Sequence, residues 1–119
     1  MTILIIEDDA PIREFLVEVL EDEGYPVHNA TNGQEAFAVL RSLPELPKLI
    51  LLDLMMPVMD GWTFRYQQLQ DPRVSDVPVI VLSATYELHR QAAMMQAAAY
   101  LAKPVTIAEL LNTVARYYG

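Results

Sequence analysis

Four consecutive branched aliphatic residues, at positions 49–52, end on the carboxylate of Asp53, and this stretch constrains the fold more than any other. Short, continuous apolar runs are typical of strands buried on both faces of a parallel sheet, because covered strands lose the alternation of half-exposed ones. In open parallel sheets, ligands bind just beyond the carboxyl ends of the strands. Asp53 is therefore the first candidate for chemistry.

Strand and helix patterns alternate five times along the chain, with short connections. The predicted strands are residues 2–6, 25–28, 49–52, 77–82 and 99–102, and each is followed by a helical pattern. Such alternation implies right-handed crossovers and a parallel sheet with helices on both faces. We expect an α/β fold, a (βα)5 flavodoxin-like three-layer sandwich with strand order 2-1-3-4-5.

Two of the predicted helices have weaker patterns than the others. The helix after Gly61 is expected to present Trp62, Tyr66 and Leu69 on one face, and the helix over residues 86–97 has a poorly defined apolar stripe. A possible role of that second helix is to supply an apolar docking or dimer face, although core packing is the commoner role of such residues.

Composition limits the classes of function. A chain of 119 residues fits one domain, over residues 1–119. The absence of cysteine excludes disulfides and thiolate sites, and the formal charge of −8 argues against direct nucleic-acid binding. No apolar run approaches the ~20 residues that span a bilayer, and the first residues do not resemble a signal peptide. We therefore expect a cytoplasmic protein without membrane contact.

Polar residues follow four of the predicted strands: Asp8 and Asp9, Asp53, Ser83 and Lys103. Each residue alone has an ordinary structural explanation, such as a helix cap or a surface lysine. Together they fall at the same edge of a parallel sheet, which indicates a shared site. Clustered carboxylates with no nearby cysteine or histidine favour Mg²⁺. The combination suits phosphoryl transfer with Asp53 as the attacking carboxylate.

The motifs that contain these residues resemble the receiver domains of two-component response regulators, over essentially the whole chain. The matching segments are 5–9, 52–57 with Asp60-Gly61, 79–84 and 100–104. The resemblance implies that Asp53 accepts a phosphoryl group from a phosphohistidine on a sensor histidine kinase or a histidine phosphotransfer protein. It also implies that Asp9 is a direct Mg²⁺ ligand, that Asp8 binds Mg²⁺ through water, and that the Met55 backbone carbonyl is a further ligand.

The same resemblance assigns a switch. Ser83 is similar to the hydroxyl that follows the phosphoryl group inward, Lys103 to its ion-pair partner, and Tyr100 to the aromatic residue that turns inward with it. The Lys103-Pro104 bond is expected to be cis. The output surface would consist of the fourth helix, fifth strand and fifth helix, and would dock a downstream protein or form a homodimer.

Two details distinguish this chain from the usual family pattern. Residues 96–99, Gln-Ala-Ala-Ala, replace the usual Gly-Ala and polar pair, and Val105 replaces a common aromatic residue. Met55 and Thr85 resemble the positions that flank the path of the hydrolytic water. Because Met55 cannot orient water, we expect slow self-dephosphorylation, and no enzymatic turnover beyond these self-catalysed steps.

Other functions are compatible with parts of the pattern. A haloacid-dehalogenase-like phosphatase needs an Asp where this chain has Met55, and the acids at 7–9 would repel the phosphate of a flavin mononucleotide carrier. The alternative that stays open is a pseudo-receiver, a phosphorylation-independent interaction module. The chain is either free-standing or one domain of a longer protein.

Overall fold

The computed structural model describes residues 2–56, 58–84 and 88–118. Five parallel strands and five helices lie within these residues. The elements in chain order are β1 (Ile3–Ile6), α1 (Ala10–Asp22), β2 (Val27–Ala30), α2 (Gly33–Ser42), β3 (Leu49–Asp53), α3 (Gly61–Gln70), β4 (Val79–Ser83), α4 (Leu88–Met94), β5 (Ala99–Ala102) and α5 (Ile107–Tyr118).

The strands form one sheet in the order β2-β1-β3-β4-β5, and every neighbouring pair is parallel. This confirms the predicted flavodoxin-like order. The two central strands, β1 and β3, are buried along their whole length. Their register pairs Ile6 with Leu52, so the residues that leave the two strands, Glu7 and Asp53, emerge side by side.

Helices cover both faces of the sheet, as the three-layer prediction requires. Alternate residues of the central strands point to opposite faces. Leu4, Ile6, Ile50 and Leu52 pack in one core with α2, α3 and α4, whereas the residues between them pack in a second core with α1 and α5. None of the described helices combines the length and apolar character needed to cross a membrane.

The most buried face of α3 is not the one that carries Trp62, Tyr66 and Leu69. Tyr66 is 68% exposed, and the helix buries Phe64, Arg65 and Gln68 instead. Arg65 and Gln68 are polar, so their burial depends on hydrogen bonds to distant carbonyls rather than on an apolar pattern. A stripe of hydrophobic residues therefore does not mark this face.

Candidate functional site

Asp53 is the last residue of β3, and its side chain lies almost completely buried at the carboxyl edge of the sheet. One carboxylate oxygen, Oδ1, accepts a hydrogen bond from the backbone amide of Met55 at 3.3 Å and lies 3.2 Å from Nζ of Lys103. These contacts place Asp53 where a ligand of a parallel sheet is expected, with a cation beside it.

The start of α3 approaches Asp53 very closely. Asp60 caps this helix by accepting a hydrogen bond from the Thr63 amide at 2.8 Å. Gly61 follows, and a Cβ there would lie only 2.5 Å from the backbone oxygen of Asp53. Glycine is therefore needed at position 61 for the helix to begin at this distance from the strand.

Lys103 follows β5 and connects two of the acids. Its Nζ lies 2.6 Å from Oε1 of Glu7 as well as 3.2 Å from Oδ1 of Asp53. Its backbone amide donates to the carbonyl of Ser83 at 3.0 Å, which fixes the strand end that carries the lysine. The Lys103-Pro104 bond is cis, as predicted.

Three carboxylates form a cluster that could hold a metal ion: Glu7, Asp8 and Asp53, whose ligand atoms lie within 4.8 Å of one another. Glu7 is fully buried, and its Oε2 has no hydrogen-bond partner among the described residues. A buried oxygen without a partner is costly, and a cation would relieve that cost. The all-oxygen donor set fits Mg²⁺.

Asp9 does not belong to this cluster. Glu7, rather than Asp9, is the third carboxylate beside Asp8 and Asp53. The Asp9 carboxylate caps α1 by accepting a hydrogen bond from the Ile12 amide at 3.0 Å. The reason is the register of β1 against β3, which brings Glu7 beside Asp53 while the chain turns into α1 by Asp9. The structure therefore brings Glu7 and Asp8, rather than Asp9, together with Asp53. The identity of the direct Mg²⁺ ligand stays a prediction.

Burial and like charges change the proton affinities of the cluster. Burial, with a contribution from neighbouring Asp53, raises the pKa of Glu7 to about 8, although Lys103 acts in the opposite direction. The pKa of Asp8 is raised for the same two reasons. Burial acts to lower the pKa of Lys103, but its hydrogen bond to Glu7 and the charges of both acids outweigh burial and raise it. Both acids therefore bind protons more tightly than free carboxyl groups do, and Lys103 is firmly protonated.

Arg13 supports the acidic loop from α1. Its Nη1 donates to the backbone oxygen of Glu7 at 2.9 Å and approaches that of Asp8 at 3.4 Å. Arg13 was not predicted from the sequence, since a single arginine on an amphipathic helix has no distinguishing pattern. The role of Glu7 could have been found from the register of the two central strands, because Glu7 follows β1 just as Asp53 follows Leu52.

The predicted switch residues lie on the neighbouring strands. Ser83 is buried at the end of β4, and Tyr100 is half-exposed in β5, where it pairs with Val81. The Met55 side chain is 71% exposed, beside the site. Thr85 lies outside the described residues. The roles assigned to these four residues, including the Met55 carbonyl as a metal ligand, stay predictions.

A groove lined mainly by apolar side chains adjoins the site. It lies between the start of α1 and the connection from β5 to α5, and Lys103 is one of its lining residues. Ile12, Phe15, Pro104 and Val105 are among its lining residues. Through Lys103, which also contacts Glu7 and Asp53, the groove adjoins the acidic cluster.

Comparison with known proteins gives consistent matches. The family model described as "Response regulator receiver domain" matches residues 3–115. An uncharacterized 14.6 kDa protein of Leptolyngbya boryana is 40% identical over 119 residues, covering 98% of this chain and 89% of that protein. The DNA-binding dual master transcriptional regulator RpaA of Synechocystis is 37% identical over 114 residues, covering 94% of this chain.

The chain spans 46% of the length of RpaA, so the comparison concerns less than half of that regulator. Among solved structures, the receiver domain of the sensor histidine kinase PA1611 from Pseudomonas aeruginosa superposes with a TM-score of 0.88 at 28% identity. The match covers 99% of this chain and 97% of that domain. That structure has a magnesium ion coordinated in its active-site cleft.

Proposed function

The chain belongs to the response regulator receiver domain family, and on that premise we propose that Asp53 accepts a phosphoryl group in a Mg²⁺-dependent phosphorelay. The observation that carries the proposal is the buried carboxylate of Asp53, which contacts Lys103 and clusters with Glu7 and Asp8, where one buried oxygen of Glu7 has no hydrogen-bond partner among the described residues.

In the proposed reaction, a carboxylate oxygen of Asp53 attacks the phosphorus of a phosphohistidine on a sensor histidine kinase or a histidine phosphotransfer protein. The O–P bond of an acyl phosphate forms as the N–P bond breaks, and the leaving imidazole retains the electron pair and takes up a proton. Glu7, Asp8 and Asp53 would hold Mg²⁺, which when bound offsets the charge of the phosphoryl oxygens.

Lys103 supplies positive charge beside Asp53 in the proposed reaction. Its ammonium lies 3.2 Å from Oδ1 of Asp53 and 2.6 Å from Oε1 of Glu7, which holds it in place. A firmly protonated lysine at this position stabilises the added negative charge of the acyl phosphate. Because the ammonium contacts Asp53 beforehand, no large movement is needed to supply that charge.

The phosphodonor would dock over the apolar groove beside Lys103. Ile12 and Phe15 on α1 line it together with Pro104 and Val105, and so does Lys103, which contacts the acidic cluster. Apolar burial around a charged centre excludes water and orients the histidine toward Asp53. The net charge of −8 makes a donor with a basic rim the better fit.

Phosphorylation would change the surface formed by α4, β5 and α5, through Ser83 and Tyr100. Tyr100 is 49% exposed in β5, so an inward rotation has a measurable effect on its exposure. The target of this surface is a downstream protein or a second copy of the chain. We propose no catalytic turnover, because the acyl phosphate is formed on the protein itself and then hydrolyses slowly.

Intact mass after incubation with Mg²⁺ and acetyl phosphate tests the function. A single phosphoryl adduct is expected on the native chain, and none on Asp53→Asn or after chelation of magnesium. If no adduct forms while a known receiver is labelled under the same conditions, the chain is a pseudo-receiver that acts without phosphorylation.

A further inference from the structure

A guanidinium is buried on the inner face of α3. Arg65 is 6% exposed, and burial lowers its pKa. None of the ion pairs among the described residues involves it. Because a buried charge without a counter-ion is costly, its hydrogen bonds must compensate for the loss of water.

Arg65 directs two of its donors at the end of α4. Nε donates to the carbonyl of Met95 at 2.9 Å, and Nη2 donates to the carbonyl of Gln96 at 2.7 Å. These residues directly follow α4, and the carbonyls at the end of a helix lack partners within the helix. A cation there also interacts favourably with the negative end of the helix dipole.

The third donor fixes the guanidinium to its own helix. Nη1 donates to Oε1 of Gln68 at 2.8 Å, and Nε2 of Gln68 donates in turn to the carbonyls of Val74 and Val77, each at 3.0 Å. A single buried network therefore joins α3, the connection to β4 and the end of α4. Arg65 is held in one orientation from both sides.

The residue at the end of this network has an unusual backbone. Gln96 has φ of 56°, a left-handed conformation that ordinarily favours glycine. It begins the 96–99 segment, where the sequence replaces the usual glycine of the family pattern. The hydrogen bond from Arg65 to the Gln96 carbonyl helps to maintain this conformation. The amide of Ala98 then donates to Val79 at 2.8 Å, and β5 with Tyr100 follows.

We propose that Arg65 is a positioning residue that restrains the connection between α4 and β5 and thereby opposes the change of the α4–β5–α5 surface that follows phosphorylation. The inference rests on the proposed function, since it assigns regulation to that site. The restraint holds the arrangement in which Tyr100 is half-exposed. A contact present in only one of two arrangements lowers the affinity for any ligand that favours the other.

The test compares the native chain with Arg65→Met, which keeps much of the side-chain volume and removes every donor. Binding of beryllofluoride, a mimic of a phosphoryl group on a carboxylate, is measured by calorimetry in the presence of Mg²⁺. We expect Arg65→Met to bind at least fivefold more tightly. Amide hydrogen exchange without Mg²⁺ or beryllofluoride is expected to be at least tenfold faster at residues 97 and 98.

If Arg65→Met does not fold, Arg65→Lys is measured in its place. It keeps the charge, but an ammonium does not reproduce the planar fork that spans three acceptors. Its affinity for beryllofluoride is expected to lie between those of the native chain and Arg65→Met. Arg73→Met is the matched control, because Arg73 also donates to a carbonyl at the end of a helix, Leu40 of α2, at 2.7 Å. This control should leave both beryllofluoride affinity and exchange at 97 and 98 unchanged.

Unchanged or weaker beryllofluoride binding by the Arg65 variants, with faster exchange, would mean that Arg65 only stabilises the fold, and would overturn the proposal. An equal gain of beryllofluoride affinity in Arg73→Met would also overturn the proposal, because tighter binding would then not depend on the contact with α4. Absence of binding in every variant, the native chain included, would instead overturn the proposed function. In that case the exchange rates show whether Arg65 restrains the connection independently of phosphorylation.

Discussion

Asp8 and Asp9 are adjacent acids that the structure uses for different purposes. Asp8 lies in the carboxylate cluster with Glu7 and Asp53, whereas the carboxylate of Asp9 accepts the Ile12 amide at 3.0 Å. A helix cap is typically worth about 1 kcal/mol, and asparagine serves as a cap nearly as well as aspartate. Amide substitution at the two positions therefore separates metal binding from capping.

We expect Asp8→Asn to weaken Mg²⁺ binding at least tenfold, because it removes a charged oxygen from the cluster. Asp9→Asn should change the affinity less than threefold and leave the thermal midpoint nearly unchanged, since the cap is retained. Isothermal calorimetry with Mg²⁺ measures the affinities. A larger loss of affinity in Asp9→Asn than in Asp8→Asn would support Asp9 as the direct ligand, as the sequence predicts.

The candidate site shows what residue patterns can predict. The sequence pointed to Asp53, Ser83 and Lys103 because each follows a recognisable strand, and the structure places all three at one edge of the sheet. Glu7 and Asp9 were harder to assign, since three consecutive acids fit the pattern equally well. Only the pairing of Ile6 with Leu52 determines which acid stands beside Asp53.

At the scale of elements, strands were predicted better than helix faces. Continuous apolar runs identified β3 and β4, whereas β2 was predicted two residues early because its polar residues give a weak pattern. The most buried face of α3 was not predicted, since Arg65 and Gln68 are buried by contacts with carbonyls at 74, 77, 95 and 96. Contacts so distant in sequence leave no local periodicity.

The starts of α2 and α3 offer a matched pair of glycines. Each follows a capping residue, Asn32 or Asp60. A Cβ on Gly61 would lie 2.5 Å from the Asp53 backbone oxygen and 2.7 Å from the Leu54 Cα, neither of which can move without moving β3. A Cβ on Gly33 would chiefly meet the flexible end of Met59, at 2.7 Å.

We therefore expect Gly61→Ala to lower the free energy of unfolding by roughly 1–3 kcal/mol, as overpacking does, and to slow formation of the Asp53 adduct. Gly33→Ala should cost less and leave adduct formation close to that of the native chain. Urea denaturation and intact mass after treatment with acetyl phosphate provide the two measurements. Equal losses of stability in both variants would show that the close approach to β3 is not what requires Gly61.

At the scale of the whole molecule, the acidic site makes folding depend on pH. The pKa of Glu7 rises from 4.5 to about 8 on folding, so the folded protein binds more protons than the unfolded chain between these values. The contribution of Glu7 to the free energy of unfolding is fully present below pH 4.5 and is lost as pH rises through about 8. The raised pKa of Asp8 acts in the same direction.

In the presence of a chelator, we expect the free energy of unfolding to fall between pH 5 and 8, by up to about 1.4 kcal/mol per pH unit. Glu7→Gln removes the main titrating group, so its decline over this range should be much shallower. With saturating Mg²⁺ the decline of the native chain should largely disappear, because the metal binds the deprotonated carboxylates and competes with protons, so that neither the folded nor the unfolded state holds a proton on Glu7 over this range. Urea denaturation at several pH values measures all three. Parallel declines of the native chain and Glu7→Gln would show that the proton held by the site is not on Glu7, and would move it to another carboxylate.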